Sequence, residues 1–153
     1  MKLRLIWVGK SQEAWVKAGI DEYAARVRRY APLEIVEVKE EKGATPELQQ
    51  QREGERIMKL LSKGSRLLLL DESGQQLTSR EFAALAGRYR DNSTQELCFV
   101  IGGAYGFSAE LRSMAEGSIA LSKMTFTHQM IRPFFLEQLY RAFTILNNES
   151  YHH

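Results

Sequence analysis

Two apolar runs in this chain do not alternate: Leu67-Leu68-Leu69-Leu70, entered from Arg66, and Leu97-Cys98-Phe99-Val100-Ile101, entered from Glu96. A strand with one face in water carries an apolar residue at every second position. An unbroken run therefore fits a strand covered on both faces, which calls for a mostly parallel sheet with helices on either side. The run ending at Leu70-Asp71 is expected at the centre of that sheet. Segments of helical character fall between the strands. Residues 13–29 place Trp15, Val16, Gly19, Ile20, Tyr23 and Val27 at the three-to-four spacing of an amphipathic helix, which Ala31-Pro32 ends. Thr45-Pro46-Glu47 opens a helix running to about residue 62, with a capping hydroxyl, a proline at the first helical position and a carboxylate in the first turn. A turn is expected at residues 72–76. Thr78 and Glu81 then form a capping box for a helix to about residue 90, and Ser108 caps a short one through residue 115. Residues 2–8 and 33–38 alternate as less covered strands, and residues 118–121 make a fifth. The chain of 153 residues reads as one α/β domain, residues 1–153, without repeat or linker.

Ligands of parallel sheets bind beyond the carboxyl ends of the strands. Leu70-Asp71, Ile101-Gly102 and Leu121-Ser122 are three such ends. The second leads into Gly102-Gly103-Ala104-Tyr105-Gly106-Phe107, where missing Cβ atoms let backbone amides approach a bound molecule. A tight strand-to-helix turn without a ligand is the alternative for that segment alone. The first strand ends in Val8-Gly9-Lys10-Ser11 and lacks the dinucleotide fingerprint. The glycine turn lacks the Lys-Ser or Lys-Thr of a phosphate loop. Metal chemistry also fits poorly, because the three histidines lie between His128 and His153 with no cysteine or carboxylate at ligand spacing.

The formal net charge of +2 is too small to announce a nucleic-acid partner. Its distribution says more, since residues 1–30 carry Lys2, Arg4, Lys10, Lys17, Arg26, Arg28 and Arg29 against three carboxylates. That segment reads either as a phosphate-facing patch or as a solvated helix face with internal pairs such as Glu22 with Arg26. The lone Cys98 sits within an apolar run, where a buried, unreactive thiol suits a reducing cytoplasm. Neither a signal segment nor an apolar run long enough to span a membrane is present, so a cytoplasmic protein without a membrane partner is expected.

A last helix begins around Arg132-Pro133 and ends near Asn148. Phe134, Phe135, Leu136, Leu139, Tyr140, Phe143, Ile145 and Leu146 surround most of its girth. One sheet covers one face, so the surplus apolar area points to a second copy of the chain, with burial inside the monomer as the alternative.

The opening residues 2–10, the Leu70-Asp71 strand end, the Ile101-Gly102-Gly103 turn, the segment Ser122-Lys123-Met124-Thr125-Phe126-Thr127-His128-Gln129-Met130 and the Tyr151-His152 terminus, in this order, resemble one family. It is the ribosomal RNA large subunit methyltransferase H family of the knotted SPOUT methyltransferases, and the likeness covers nearly the whole chain. The resemblance implies an α/β knot, with the carboxyl-terminal third threaded into a deep trefoil, and a homodimer. It implies methyl transfer from S-adenosylmethionine to N3 of a pseudouridine in 23S ribosomal RNA of the assembled ribosome. Carried over by residue, the cofactor contacts are Leu70, Gly102, Leu121, Ser122, Lys123, Met124, Thr125 and Phe126. The catalytic and substrate side comprises His128, Arg132, Tyr151 and His152, with His128 or His152 as the base and no metal. Thr127 stands where relatives often have proline, and Pro133 follows the arginine, which leaves the entry angle of the last helix open. Two other functions compete: a noncatalytic ribosome-binding or assembly module, and a nucleotide-dependent enzyme with a variant phosphate loop.

Overall fold

Strands and helices alternate from end to end in the computed structural model, which describes residues 1–153. In order they are β1 (Lys2–Val8), α1 (Ala14–Val27), β2 (Leu33–Val38), α2 (Pro46–Leu60), β3 (Ser65–Gln76), α3 (Ser79–Asp91), β4 (Glu96–Ile101), α4 (Ala109–Met114), β5 (Gly117–Ala120) and α5 (Ile131–Leu146). The strands form one sheet in the order β2-β1-β4-β3-β5, and every neighbouring pair is parallel. The unbroken apolar runs behave as their composition requires. All six residues of β4 are buried, and so are Leu67 to Leu70 of β3.

The expected centre of the sheet needs correcting. β3 is interior, but β4 takes the middle position, between β1 and β3. The turn expected at residues 72–76 is a second correction, since β3 continues through it irregularly. Its register against β5 shifts between Leu70 and Gln75, so Ile119 is paired with both. Within the irregular stretch Asp71 Oδ1 accepts from the Ser73 amide at 3.2 Å, and Gln75 and Gln76 then return to the ladder.

The helix signals resolve into real caps. Thr45 Oγ1 accepts from Leu48 N, Ser108 Oγ from Leu111 N, and both halves of the Thr78–Glu81 box are made. On one face of the sheet α5 lies between α1 and α3 in a core that includes Leu5, Leu68, Phe99 and Phe135, while α2 and α4 cover the other face. The rings of Phe82, Phe99 and Phe135 meet at 4.9–6.1 Å, and Tyr30 stacks on Phe143 at 5.6 Å.

This packing removes most of the argument for a second copy drawn from α5. Phe135, Leu136, Leu139, Tyr140, Ala142 and Phe143 are all buried within one chain, because α1, α3 and the sheet enclose the helix on three sides. Phe134 alone among its large apolar residues stays substantially open, at 40 % exposure. Trp15 likewise leaves the expected buried face of α1, which consists of Val16, Ile20, Ala24 and Val27.

Cys98 is fully buried in β4, and burial pushes its thiol up to about 12. Thiolate is the reactive form. The folded protein is therefore expected to resist thiol-labelling reagents at pH 8 and to react fully in denaturant. Rapid labelling of the native protein would show that β4 opens.

Candidate functional site

The carboxyl ends of β3, β4 and β5 stand side by side, with Leu70 opposite Ile101 on one flank and Ile119 on the other. The glycine turn leaves β4 toward α4, and residues 121–130 leave β5 toward α5. Between these two connections lies a cleft of about 340 Å³. Leu70, Gly102, Leu121, Ser122, Met124, Thr125, Phe126 and His128 all line it. Positions far apart in sequence thus share one cleft, as the strand-end argument expected.

Local bonds hold both connections. Gly106 N donates to Gly103 O at 3.1 Å, closing the turn, and Gly106 has the left-handed φ of 75° that favours glycine. On the opposite wall Met124 N donates to Ser122 Oγ at 3.0 Å, and the Thr125 hydroxyl donates to the Glu72 carboxylate. Thr127 accepts from Met130 N through its hydroxyl and from Ile131 N through its carbonyl. A hydroxyl-bearing turn, rather than a proline, therefore sets the entry into α5.

Asp71, Glu72 and Phe107 also line the cleft, although sequence reasoning had assigned none of the three a site role. Asp71 sits at a flagged strand end, so its place in the chain was the available signal. Burial alone would raise its carboxyl. The Arg112 guanidinium at 2.6 Å and the Ser73 amide outweigh that and hold it below the usual carboxylate range. Arg112 also lies over the Phe107 ring, 5.4 Å from its centroid, which ties α4 to the end of β3 and to the glycine turn.

The other expected residues stand elsewhere. Lys123 is exposed and does not line the cleft. Arg132 is fully buried: it donates to Ser11 Oγ at 3.0 Å and to Val8 O at 2.8 Å, lies 4.9 Å from the Trp7 ring centroid, and has the Glu37 carboxylate at 3.9 Å. Burial lowers its guanidinium to about 10, so it remains a cation at pH 7, fastening α5 to the end of β1. Tyr151 donates to Glu137 Oε1 at 2.9 Å and lines a second hollow, about 770 Å³, bounded by α1, α3 and α5. His152 Nδ1 lies 3.1 Å from Arg141 Nη1. Partial loss of hydration, then the charges of Arg80 and Arg141, hold this imidazole below its ordinary range, so it is neutral at pH 7. Leu121 and Phe126 line both hollows, which makes their loop the partition between cleft and groove. No cluster of three or more His, Cys, Asp or Glu side chains gathers as a ligand set.

A glycine turn and a second loop facing each other across the strand ends of a parallel sheet form the crevice in which such sheets bind ligands. The family model described as "Predicted SPOUT methyltransferase" matches residues 1–152, and the chain belongs to the SPOUT methyltransferases. Within that family it is 64% identical to the ribosomal RNA large subunit methyltransferase H of Geobacter sulfurreducens (strain ATCC 51573 / DSM 12127 / PCA), with all of both chains covered. It is 62% identical, again over all of both chains, to the protein of the same name from Geotalea uraniireducens (strain Rf4). The SpoU methyltransferase AviRb from Streptomyces viridochromogenes, solved in complex with AdoMet, aligns at a TM-score of 0.47 and 12% identity over 92% of this chain and 57% of that one.

Proposed function

We propose that this enzyme transfers the methyl group of S-adenosylmethionine to N3 of a pseudouridine in 23S ribosomal RNA of the assembled ribosome, acting as a homodimer in the cytoplasm. The observation that carries the reading is the cleft itself. It joins the glycine turn after β4 to the loop after β5, in a chain whose full-length relatives bear the name ribosomal RNA large subunit methyltransferase H. No helix is long and apolar enough to cross a membrane. The deep carboxyl-terminal knot belongs to the same reading, its support being family membership.

The donor's adenosine and methionyl parts are taken to lie between the Gly102 turn and residues 121–126, with Leu70 beneath them. N3 of pseudouridine bears an imide proton that must leave before the nitrogen can attack. His128, exposed at the edge of the cleft, is the one histidine that lines it and serves as the base within one chain. His152 lies against Arg141 and does not line the cleft, so it would serve only a partner's cleft. Attack by an anionic nitrogen on a sulfonium cancels charge, so a site emptied of water favours the transfer. Backbone groups of the turn then orient the donor.

Support for the dimer now comes from the groove rather than from the girth of α5. Trp15, Phe126 and Phe134 are 53 %, 36 % and 40 % exposed and line one hollow, and the rings of Phe126 and Phe134 meet at 5.7 Å. A second copy seated there would press on the loop that walls the donor cleft. Of the early basic residues, Lys2, Arg4 and Arg26 are engaged in ion pairs, the last with Glu22 as one of the two sequence alternatives had it. Lys10, Lys17 and Arg29 stay exposed for phosphate.

Titration calorimetry with S-adenosylmethionine tests the donor site, and saturable, stoichiometric binding excludes the noncatalytic module. Mass mapping of ribosomal RNA from cells lacking this chain tests the substrate. Phe134→Glu is expected to give a folded monomer by light scattering, because a charge entering an apolar contact costs several kcal/mol. Tyr140→Glu with Phe143→Glu would instead unfold the chain, both side chains being core. An unmodified protein that is monomeric at micromolar concentration would remove the dimer.

A further inference from the structure

Glu53 is the most deeply buried carboxylate in the chain, at 3 % exposure, and the chemistry above makes no use of it. It projects from α2 toward the back of the glycine turn. Its Oε2 accepts from Glu41 N at 3.0 Å and from Gln49 Nε2 at 3.1 Å. Its Oε1 faces the turn so closely that a Cβ added to Gly103 would stand 2.8 Å from it. One helical turn earlier, Gln50 Nε2 donates to Tyr105 O at 2.8 Å. The gap among Glu53, Gln50, Val8 and the turn has no room for water. The back of the turn therefore rests on two side chains three residues apart on one helix, while its front lines the cleft.

Burying a carboxylate costs free energy that an apolar side chain of similar size would avoid. Two donors hold the Glu53 head in place, and the reach of the side chain brings Oε1 up to the Gly103 backbone. We propose that Glu53 is a positioning residue for the methyl-donor site: with Gln50 it sets the height of the Gly102 to Gly106 turn, so that backbone groups meet the donor in register. The inference rests on the proposed reading of the cleft as the S-adenosylmethionine site. It also accounts for Gly103, where any side chain would have to displace the carboxylate that supports the turn.

Reach and charge are separable by substitution. Glu53→Gln keeps the reach and loses the charge, whereas Glu53→Asp keeps the charge and withdraws the head by one methylene. In the free protein, hydrogen exchange at the Gly106 amide is expected to quicken in Glu53→Asp and to stay near the parent rate in Glu53→Gln. By calorimetry, donor affinity should fall roughly tenfold in Glu53→Asp, the scale of a sub-ångström misplacement. It should stay within about twofold in Glu53→Gln, which retains an acceptor. The turnover number at saturating donor should hold in both, so that the loss appears in KM. Gln50→Ala, which leaves the core untouched, should move exchange and affinity the same way by less, and it decides the matter should Glu53→Asp not fold. Parent-like exchange and affinity in Glu53→Asp, or in Gln50→Ala in its stead, overturn the proposal. So does a Glu53→Gln protein as weak as Glu53→Asp. A parent protein that binds no donor would sink the reading of the cleft and the donor role with it, while exchange at Gly106 would still report whether Glu53 holds the turn.

Discussion

Gly102→Val is expected to abolish measurable binding of S-adenosylmethionine while leaving a folded protein. A Cβ at position 102 would stand 3.1 and 3.2 Å from two ring atoms of Phe107 and 3.4 Å from the Gly106 carbonyl carbon. Valine adds two further methyls at that point. The ring is buried and the turn is short, so relief must come from moving the Gly106–Phe107 segment, which is part of the cleft wall. The damage is thus a displaced wall more than a filled cavity. A shift on the scale of 1 Å costs on the order of a hundredfold in a positioned interaction, enough to carry weak binding beyond detection. Stability should fall by about 1–3 kcal/mol, the usual range for overpacking, which a chain of this size survives. Calorimetry alongside thermal melting checks both halves. A folded variant with parental donor affinity would mean that the donor does not touch this turn.

How much of this was legible beforehand depended on whether the interactions concerned were local. Capping boxes, unbroken apolar runs and strand ends are written within a few residues of themselves, and Thr78 with Glu81 forms the expected reciprocal bonds. The cleft lining followed because strand ends in a parallel sheet share an edge, whatever their order. The order itself was not legible. Nothing within residues 65–71 says that β4 rather than β3 takes the middle of the sheet, since both are equally apolar.

Burial of the last helix failed for a related reason. Sequence gives the apolar positions of α5 but not the number of elements around it, and α1, α3 and the sheet together absorb the girth that had suggested a partner. Arg132 was placed on the substrate side by resemblance alone. Its partners Val8 and Ser11 lie over 120 positions away, and they draw it into the core. Glu53 was hidden by its surroundings: residues 49–56 are polar almost throughout, and such a stretch reads as a solvated helix unless the fold says which face meets the glycine turn.

Gly74→Ala should be the most destabilising small substitution in the chain, although Gly74 lies in a stretch that reads as an ordinary polar turn. A Cβ at this position would stand 2.7 Å from Ile119 N and from Ser118 C, and 2.8 Å from Ser118 O. All three atoms are backbone of β5, so no side chain can swing aside. The strand itself cannot retreat, because Ile119 is paired with Leu70 on one side of the irregularity and with Gln75 on the other. Relief requires breaking one of those pairings, at a cost of at least about 3 kcal/mol, the upper end of the overpacking range. That is a large share of the roughly 5–15 kcal/mol that holds a domain folded. At about 2–4 °C per kcal/mol, the melting temperature should drop by roughly 6–12 °C. Gly117→Ala provides the contrast in the same strand pair, since its added Cβ would make only an ordinary 3.9 Å contact with Leu68 Cδ2 and should leave the melting temperature nearly unchanged. Donor affinity should fall in Gly74→Ala and not in Gly117→Ala, because β5 ends at Ala120 and leads directly into the loop that walls the cleft. Equal melting temperatures for the two variants would mean that β3 and β5 do not approach as closely at Gly74 as the double pairing of Ile119 requires.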